Sequence, residues 1–174
     1  LGLGVGLMGI YGFFVTPLAK EFDVGVAIIN IGPVAMLLVP GFLSPLIGRL
    51  ADRIPIRRLI FTGIVVAALS MFAVSLAPSL RWASVAFIGL TVGLILYGPV
   101  VVNGLMVKRY PGREARALAI AAMGMSVSAV VLPPLVGSLL SAGDWRFTLQ
   151  ALAVGLALVL GLMTYFAIPR GVIT

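Results

Sequence analysis

The sequence predicts an all-α membrane protein with six transmembrane helices arranged as a 3+3 inverted repeat. Three observations predict it: the composition, the alternation of apolar runs with charged connections, and a match between the two halves of the chain. Of the 174 residues, 61% are hydrophobic and 10% are charged, whereas soluble domains carry about 25% charged residues. The mean hydropathy is +1.22, and the apolar excess extends along the whole length, so the bilayer is the predicted solvent.

Six apolar stretches are long enough to be transmembrane helices, which need about 20 mostly apolar residues. They cover residues 1–19, 24–47, 59–77, 83–107, 116–140 and 147–168 of one six-helix domain. Strands are excluded because the runs lack the alternation of polar and apolar residues that barrel strands show. The first stretch has neither Met nor a basic segment before it, which favours a truncated span over a cleavable signal peptide.

Basic residues are distributed unevenly among the connections between spans. Nine follow spans two, four and six: Arg49, Arg53, Arg57, Arg58, Lys108, Arg109, Arg113, Arg116 and Arg170. Three follow spans one, three and five: Lys20, Arg81 and Arg146. The positive-inside rule therefore predicts an integral protein of the cell (plasma or inner) membrane with both termini in the cytoplasm. The net charge of +7 follows from this topology, and nucleic-acid binding is not predicted.

The two halves of the sequence share a motif. Pro45–Leu50 reads Pro-Leu-x-Gly-x-Leu, and the same pattern returns in Pro134–Leu139. Three helices are an odd number, so the two copies must cross the bilayer in opposite directions. Such 3+3 inverted repeats occur within each six-helix half of many secondary transporters. Gly48 and Gly137 are then equivalent positions at opposite ends of the molecule.

Glycine and proline residues within the spans predict close packing and hinges. Small residues four apart, such as Gly89 with Gly93, let helix backbones approach closely. Pro99 and Pro134 supply kinks for helices that must move. Gly93, Pro99, Pro134 and Gly137 are therefore predicted as packing or hinge positions, with plain helix packing as the alternative for each glycine.

The stretch Gly48–Arg58 carries the clearest motif. Its motif residues are Gly48, Leu50, Ala51, Asp52, Arg53, Arg57 and Arg58. They resemble the loop 2–3 signature of the major facilitator superfamily, Gly-x-Leu-Ala-Asp-Arg-x-Gly-Arg-Arg/Lys. Pro55 stands where the family usually has Gly, and Ile56 stands at a commonly basic position. The resemblance implies the amino-terminal six-helix half of a twelve-helix fold, with the carboxy-terminal half absent from this stretch.

Within that superfamily, three stretches resemble the monocarboxylate and oxalate/formate type of organic-anion porter: Tyr11–Phe22, Asp52–Arg58, and Arg113–Gly137 with Trp145–Arg146. The resemblance implies secondary active transport of a small, monocarboxylate-like anion by alternating access. Two alternatives stay open. Pro134 and Gly137 partly resemble the antiporter signature of drug exporters, which implies efflux of hydrophobic compounds, and the chain could also be a six-helix scaffold or homodimer. An enzyme is not predicted, because the chain has neither His nor Cys.

The resemblance implies that Asp52 and Arg53 latch the two halves of the transporter on the cytoplasmic side. In relatives the partner lies in the second half. Within this chain the alternative partners are Arg109, Arg113 and Arg116. The alternative for Arg53, Arg57 and Arg58 is that they only set the topology.

Substrate contacts are predicted from neutral residues, because no ionisable side chain lies within the spans away from their ends. The superfamily lines its cavity with helices one and four, which implies Tyr11, Tyr97 and Asn103 as substrate-cavity residues. No coupling site is visible in this half, and no cofactor or metal is predicted. The predicted partners are the lipid bilayer, a small-molecule substrate, and a second six-helix half or a homodimer mate.

Overall fold

A computed structural model describes residues 2–167, apart from the side chains at 2–9, 26, 33, 35–37, 108, 166 and 167. In the described residues every regular element is an α-helix, which confirms the predicted fold class. The helices are α1 (Gly2–Glu21), α2 (Val26–Ile29), α3 (Ile31–Arg53), α4 (Ile56–Ser75), α5 (Leu80–Leu96), α6 (Pro99–Arg109), α7 (Glu114–Ala142) and α8 (Trp145–Ala167). The predicted span limits at residues 1 and 168, Arg170 and the Lys108 side chain lie outside this description.

Four helical segments of the described chain are long and apolar enough to cross a membrane. They are Ile56–Ser75, Leu80–Val107, Glu114–Ala142 and Trp145–Tyr165, and they correspond to predicted spans three to six. Helix α1 corresponds to the first predicted span, and α2 with α3 to the second. Part of the side chains in both lies outside the description, so the count of six spans stays a prediction.

Two of the predicted spans are each divided into two helices. The second is divided at Asn30, between α2 and α3, and the fourth at Tyr97 and Gly98, between α5 and α6. Gly98 has an extended backbone and Pro99 opens α6. A proline has no N–H and disfavours helical backbone at the residue before it, so the ladder of α5 ends here.

The second span continues as a helix past its predicted end at residue 47. Helix α3 runs to Arg53, and Ile54 is the first extended residue. Pro55 follows Ile54, and the residue before a proline avoids helical backbone. The chain therefore leaves the helix at the proline rather than at the first arginine. The signature residues Gly48–Arg53 form the last turns of α3 and not a loop.

Part of the helix packing has the symmetry of the predicted inverted repeat, in which spans one, two and three are equivalent to spans four, five and six. Helix α1 packs on α7, so span one contacts span five, and α3 packs on α5 and α6, so span two contacts span four. The repeat exchanges these two contacts. The contact of α4 with α8, which are spans three and six, is its own counterpart. The contact of α4 with α5 is the largest, and its counterpart, α1 with α8, is much smaller.

Among the predicted hinge and packing residues, Gly93 lies against α4. A Cβ at Gly93 would lie 2.6 Å from Ala67 N and 2.9 Å from Ala67 Cβ. At Gly48 and Gly137 a Cβ would meet no atom within 4 Å, so packing within the described residues requires neither glycine. Pro134 lies inside α7, which is continuous through it.

Replacing Gly93 by alanine is expected to lower the free energy of unfolding by about 1–3 kcal/mol, the usual cost of overpacking. The added methyl would meet backbone atoms of α4, which cannot rotate away. Gly104→Ala is the matched control, since a Cβ there would meet nothing within 4 Å, and it should stabilise α6 by up to about 1 kcal/mol. Denaturation in detergent micelles measures both; equal stability of the two variants would contradict the close approach of α4 and α5.

Candidate functional site

An apolar cavity of about 340 Å³ lies between the end of α1, the division of α2 from α3, the end of α4 and the starts of α5 and α8. This volume lies within the range of small-molecule sites, about 300–1,000 Å³. Its lining includes buried side chains, among them Ile10, Phe14 and Met71. No lining residue is charged. The cavity is thus sized for a small organic molecule and chemically suited to its apolar part.

Tyr11 links the wall of this cavity to the division of the second span. Its hydroxyl donates a hydrogen bond of 2.7 Å to the carbonyl oxygen of Ile29, the last residue of α2. Its ring meets that of Phe87 edge to face, with centroids 5.5 Å apart. A Cβ at Gly32 would lie 2.6 Å from the Tyr11 hydroxyl. Broken helices persist in membranes where neighbours satisfy the freed carbonyls, and Tyr11 does this for Ile29.

Tyr11→Phe is expected to lower the free energy of unfolding by about 1 kcal/mol, because the Ile29 carbonyl loses its donor in an apolar setting. Tyr110→Phe is the control, since Tyr110 is exposed in the connection after α6. Denaturation in detergent compares the two. Loss of the same size in both variants would show that the Tyr11 hydroxyl has no special part in the fold.

The other two predicted cavity residues lie elsewhere. Tyr97 is buried, with 3% of its surface exposed, where α5 and α6 divide. Within the part of the chain that the structure describes, its hydroxyl has no hydrogen-bond partner. Asn103 is exposed on α6. Neither residue lines the cavity, so of the three only Tyr11 does.

A cluster of polar contacts around Arg146, which the sequence did not predict, lies at the same end of the molecule as the cavity. Arg146, at the start of α8, donates from Nη1 to the carbonyl oxygen of Ser75. Its Nη2 donates to the carbonyl oxygen of Ala77 at 3.3 Å and to Glu21 Oε1 at 3.1 Å. The guanidinium carbon lies 4.6 Å from the ring centroid of Trp145. Arg146 therefore joins the ends of α1 and α4 to the start of α8; we name these residues the Arg146 cluster.

The Arg146 cluster supplies hydrogen-bond donors to the carbonyl groups at the C-terminal end of α4. The last carbonyls of a helix lack intrahelical donors and carry partial negative charge, and Ser75 is the last residue of α4. Gln150 adds a second link, since its Nε2 donates to Ser75 Oγ at 3.3 Å. One signal was visible in the sequence. Glu21 and Arg146 have opposite charge and lie at ends of spans predicted to face the same side.

The predicted latch residues, Asp52 and Arg53, lie at the end of the molecule opposite the cavity. Asp52 and Arg53 are exposed in the last turn of α3. The antiparallel order of the helices brings to the same end the start of α4 and the connection of α6 to α7, with Arg57, Arg58, Arg109, Arg113 and Arg116. The helix dipole disfavours an acid at a helix C-terminus. The dipole of α3 by itself therefore does not favour an acid at position 52.

Arg57, at the start of α4, contacts Tyr165 near the end of α8. Its Nη2 lies 3.4 Å from the carbonyl oxygen of Tyr165, near the end of α8, and can donate to it. Its guanidinium carbon lies 5.2 Å from the Tyr165 ring centroid. A cation at a helix C-terminus is favourable, and so is one over an aromatic face. Arg57 thus joins α4 to α8 in addition to its predicted effect on topology.

Comparison with known protein families identifies the wider group. The family model of the Major Facilitator Superfamily matches residues 2–172. The chain belongs to the major facilitator superfamily. A search of curated proteins finds no match. As a superfamily member, the chain is an integral membrane protein and a membrane transporter, and members of this family are not enzymes.

The two ends of this major facilitator transporter differ in chemistry. One end holds the signature residues and most of the arginines, and the other holds the apolar cavity beneath the Arg146 cluster. The lining residues of the cavity come from the ends of helices away from the signature. The described part of the chain thus has a cavity toward one end and a charged signature at the other.

Proposed function

We propose that this chain is the amino-terminal half of a secondary active transporter that moves a small, monocarboxylate-like organic anion by alternating access. The observation that supports it is the position of the cavity, which lies only toward the end opposite the signature. A second six-helix half, or a second copy of the chain, completes the transport path. The two halves rock about the midplane, and Asp52 with Arg53 latches them at the signature end.

The cavity supports a substrate with an apolar part. Apart from the hydroxyls of Tyr11 and Ser84, its lining side chains carry no polar group, and both hydroxyls already donate to backbone carbonyls. The hydrocarbon part of a monocarboxylate occupies this volume. No lining side chain is positive, so the carboxylate binds a cation that the second half supplies.

A second candidate is efflux of hydrophobic compounds by the same fold. The uncharged lining favours it, because a neutral compound needs no cation at the site. Membership of the superfamily favours either kind of transport over a scaffold that moves no solute.

Uptake into proteoliposomes tests the proposal. The full-length protein is expected to take up labelled lactate faster than empty vesicles do, and to take up formate and oxalate, which have no hydrocarbon chain to fill the apolar cavity, more slowly than lactate. Ala83→Leu places a larger side chain into the cavity wall and should lower uptake about tenfold, equivalent to about 1.4 kcal/mol of binding. Ala122→Leu, on an exposed position of α7, is the control. Export of a lipophilic dye without uptake of any anion would replace the first candidate by the second.

A further inference from the structure

We propose that the groove between the start of α4 and the end of α8 binds the headgroup of an anionic phospholipid. We name it the Arg57–Arg58 groove; Arg57, Arg58 and Phe61 line it from α4, and Thr164 and Tyr165 line it from α8. Its volume is about 680 Å³. The groove lies at the signature end, and the transport path proposed above does not use it.

Positive charge is concentrated at the N-terminus of α4, where the helix dipole disfavours it. The first turn of α4 contains Arg57 and Arg58 and no acidic residue, and no side chain caps the helix. Arg58 N and Leu59 N both donate to the carbonyl oxygen of Pro55, whereas the N–H groups of Ile56 and Arg57, at the start of α4, have no intrahelical acceptor. A helix N-terminus is itself partly positive. A bound anion would offset part of this positive charge.

The arginines have donors to offer such an anion. The contact of Arg57 with Tyr165 employs one N–H, and a guanidinium has five. That contact also holds the Arg57 side chain at the groove. Arg58 is exposed beside it. Two adjacent guanidiniums bind a phosphate through several charge-assisted hydrogen bonds, which a planar guanidinium makes better than an ammonium.

The apolar surface beside the groove selects a lipid rather than free phosphate. Phe61, Val65 and Leu69 are exposed on α4 at intervals of four residues, so they form one stripe. Leu158 and Leu162 are exposed on the neighbouring α8, toward the end that carries Tyr165. The two stripes extend from the groove along the spanning helices. Acyl chains would lie along them while the phosphate contacts the arginines.

The predicted orientation agrees with this ligand. The charge count predicts that the start of α4 faces the cytoplasm. Anionic lipids give the cytoplasmic leaflet its negative surface potential, and basic pockets between transmembrane helices on that side are known sites for anionic headgroups.

Native mass spectrometry of the full-length protein with phosphatidylglycerol and phosphatidylcholine tests the proposal. We expect retention of phosphatidylglycerol in preference to phosphatidylcholine. The double change Arg57→Gln with Arg58→Gln should weaken that retention at least about tenfold. The control is Arg113→Gln with Arg116→Gln, which removes the same charge from exposed positions at the same end.

A single substitution and a competition with inorganic phosphate complete the test. Arg58→Gln alone keeps the contact of Arg57 with Tyr165 and should still weaken retention, so loss of folding in the double variant does not end the test. Millimolar inorganic phosphate should not displace the lipid. Equal loss in the control pair would show a diffuse charge effect and overturn the proposal. Displacement by inorganic phosphate, or unchanged retention in Arg58→Gln, would also overturn it.

Discussion

Asp52→Asn is expected to leave membrane insertion intact and to reduce the transport rate between about 5- and 150-fold, the range of a 1–3 kcal/mol conformational coupling. Asp52 lies in the last turn of α3, where the helix dipole opposes a negative charge. Asn has nearly the size of Asp and removes only the charge, so insertion and folding are expected to remain and the loss should appear in the transport rate. Uptake into proteoliposomes, normalised to the amount of inserted protein, measures it.

Asp23→Asn is the matched control for Asp52→Asn. Asp23 lies in the connection between α1 and α2, at the opposite end of the molecule. Asp23 is exposed and has a positive φ of 48°, a conformation that Asn tolerates well. Both variants lose one negative charge. Full transport by Asp52→Asn, or an equal loss in both variants, would remove Asp52 from the mechanism.

Arg146→Gln is expected to lower the free energy of unfolding by about 2 kcal/mol, the scale of hydrogen bonds to a charged donor. The change leaves the carbonyls of Ser75 and Ala77 without their donor and removes one of the links of α8 to α1 and α4. The ion pair itself is a small part of this, because the two side chains are 33% and 45% exposed and exposed pairs contribute at most about 1 kcal/mol. Glu21→Gln should therefore cost less than Arg146→Gln.

Arg81→Gln is the matched control for Arg146→Gln. Arg81 is exposed in the first turn of α5, at the same end of the molecule, and its loss should change stability by no more than about 0.5 kcal/mol. Denaturation in detergent micelles compares the three variants. If Arg146→Gln and Arg81→Gln were equally stable, the Arg146 cluster would not hold the helix ends together.

The sequence predicted the helical fold because long apolar runs between charged connections have few other solutions in a membrane. It did not predict the division at Asn30, since apolar residues continue on both sides of it and composition alone cannot reveal a break. Pro99 was visible as a kink, but the break before it depends on the extended backbone of Gly98. The predicted second span ends at residue 47, whereas α3 continues through the arginines to Arg53 and ends at Ile54, the residue before Pro55.

In the candidate site, the sequence predicted residues that could be recognised from their own span. Tyr11, predicted from the first span, does line the cavity. The Arg146 cluster joins residues 71 and 125 positions apart, so only the packing of α1, α4 and α8 brings them together. Gln150 and Ser75 are 75 positions apart, and the hydrogen bond between them likewise forms only where α8 packs on α4.

The central claim is that the cavity is a transport site that faces one side of the membrane while the signature faces the other. Its most direct test is labelling of introduced cysteines in intact cells by an impermeant thiol reagent, since the chain has no cysteine of its own. Ser84→Cys, at the cavity, should react from outside and become protected when the transported anion is added. Pro55→Cys, between α3 and α4, should not react. External labelling of Pro55→Cys, or labelling of Ser84→Cys that a transported anion leaves unchanged, would contradict the account.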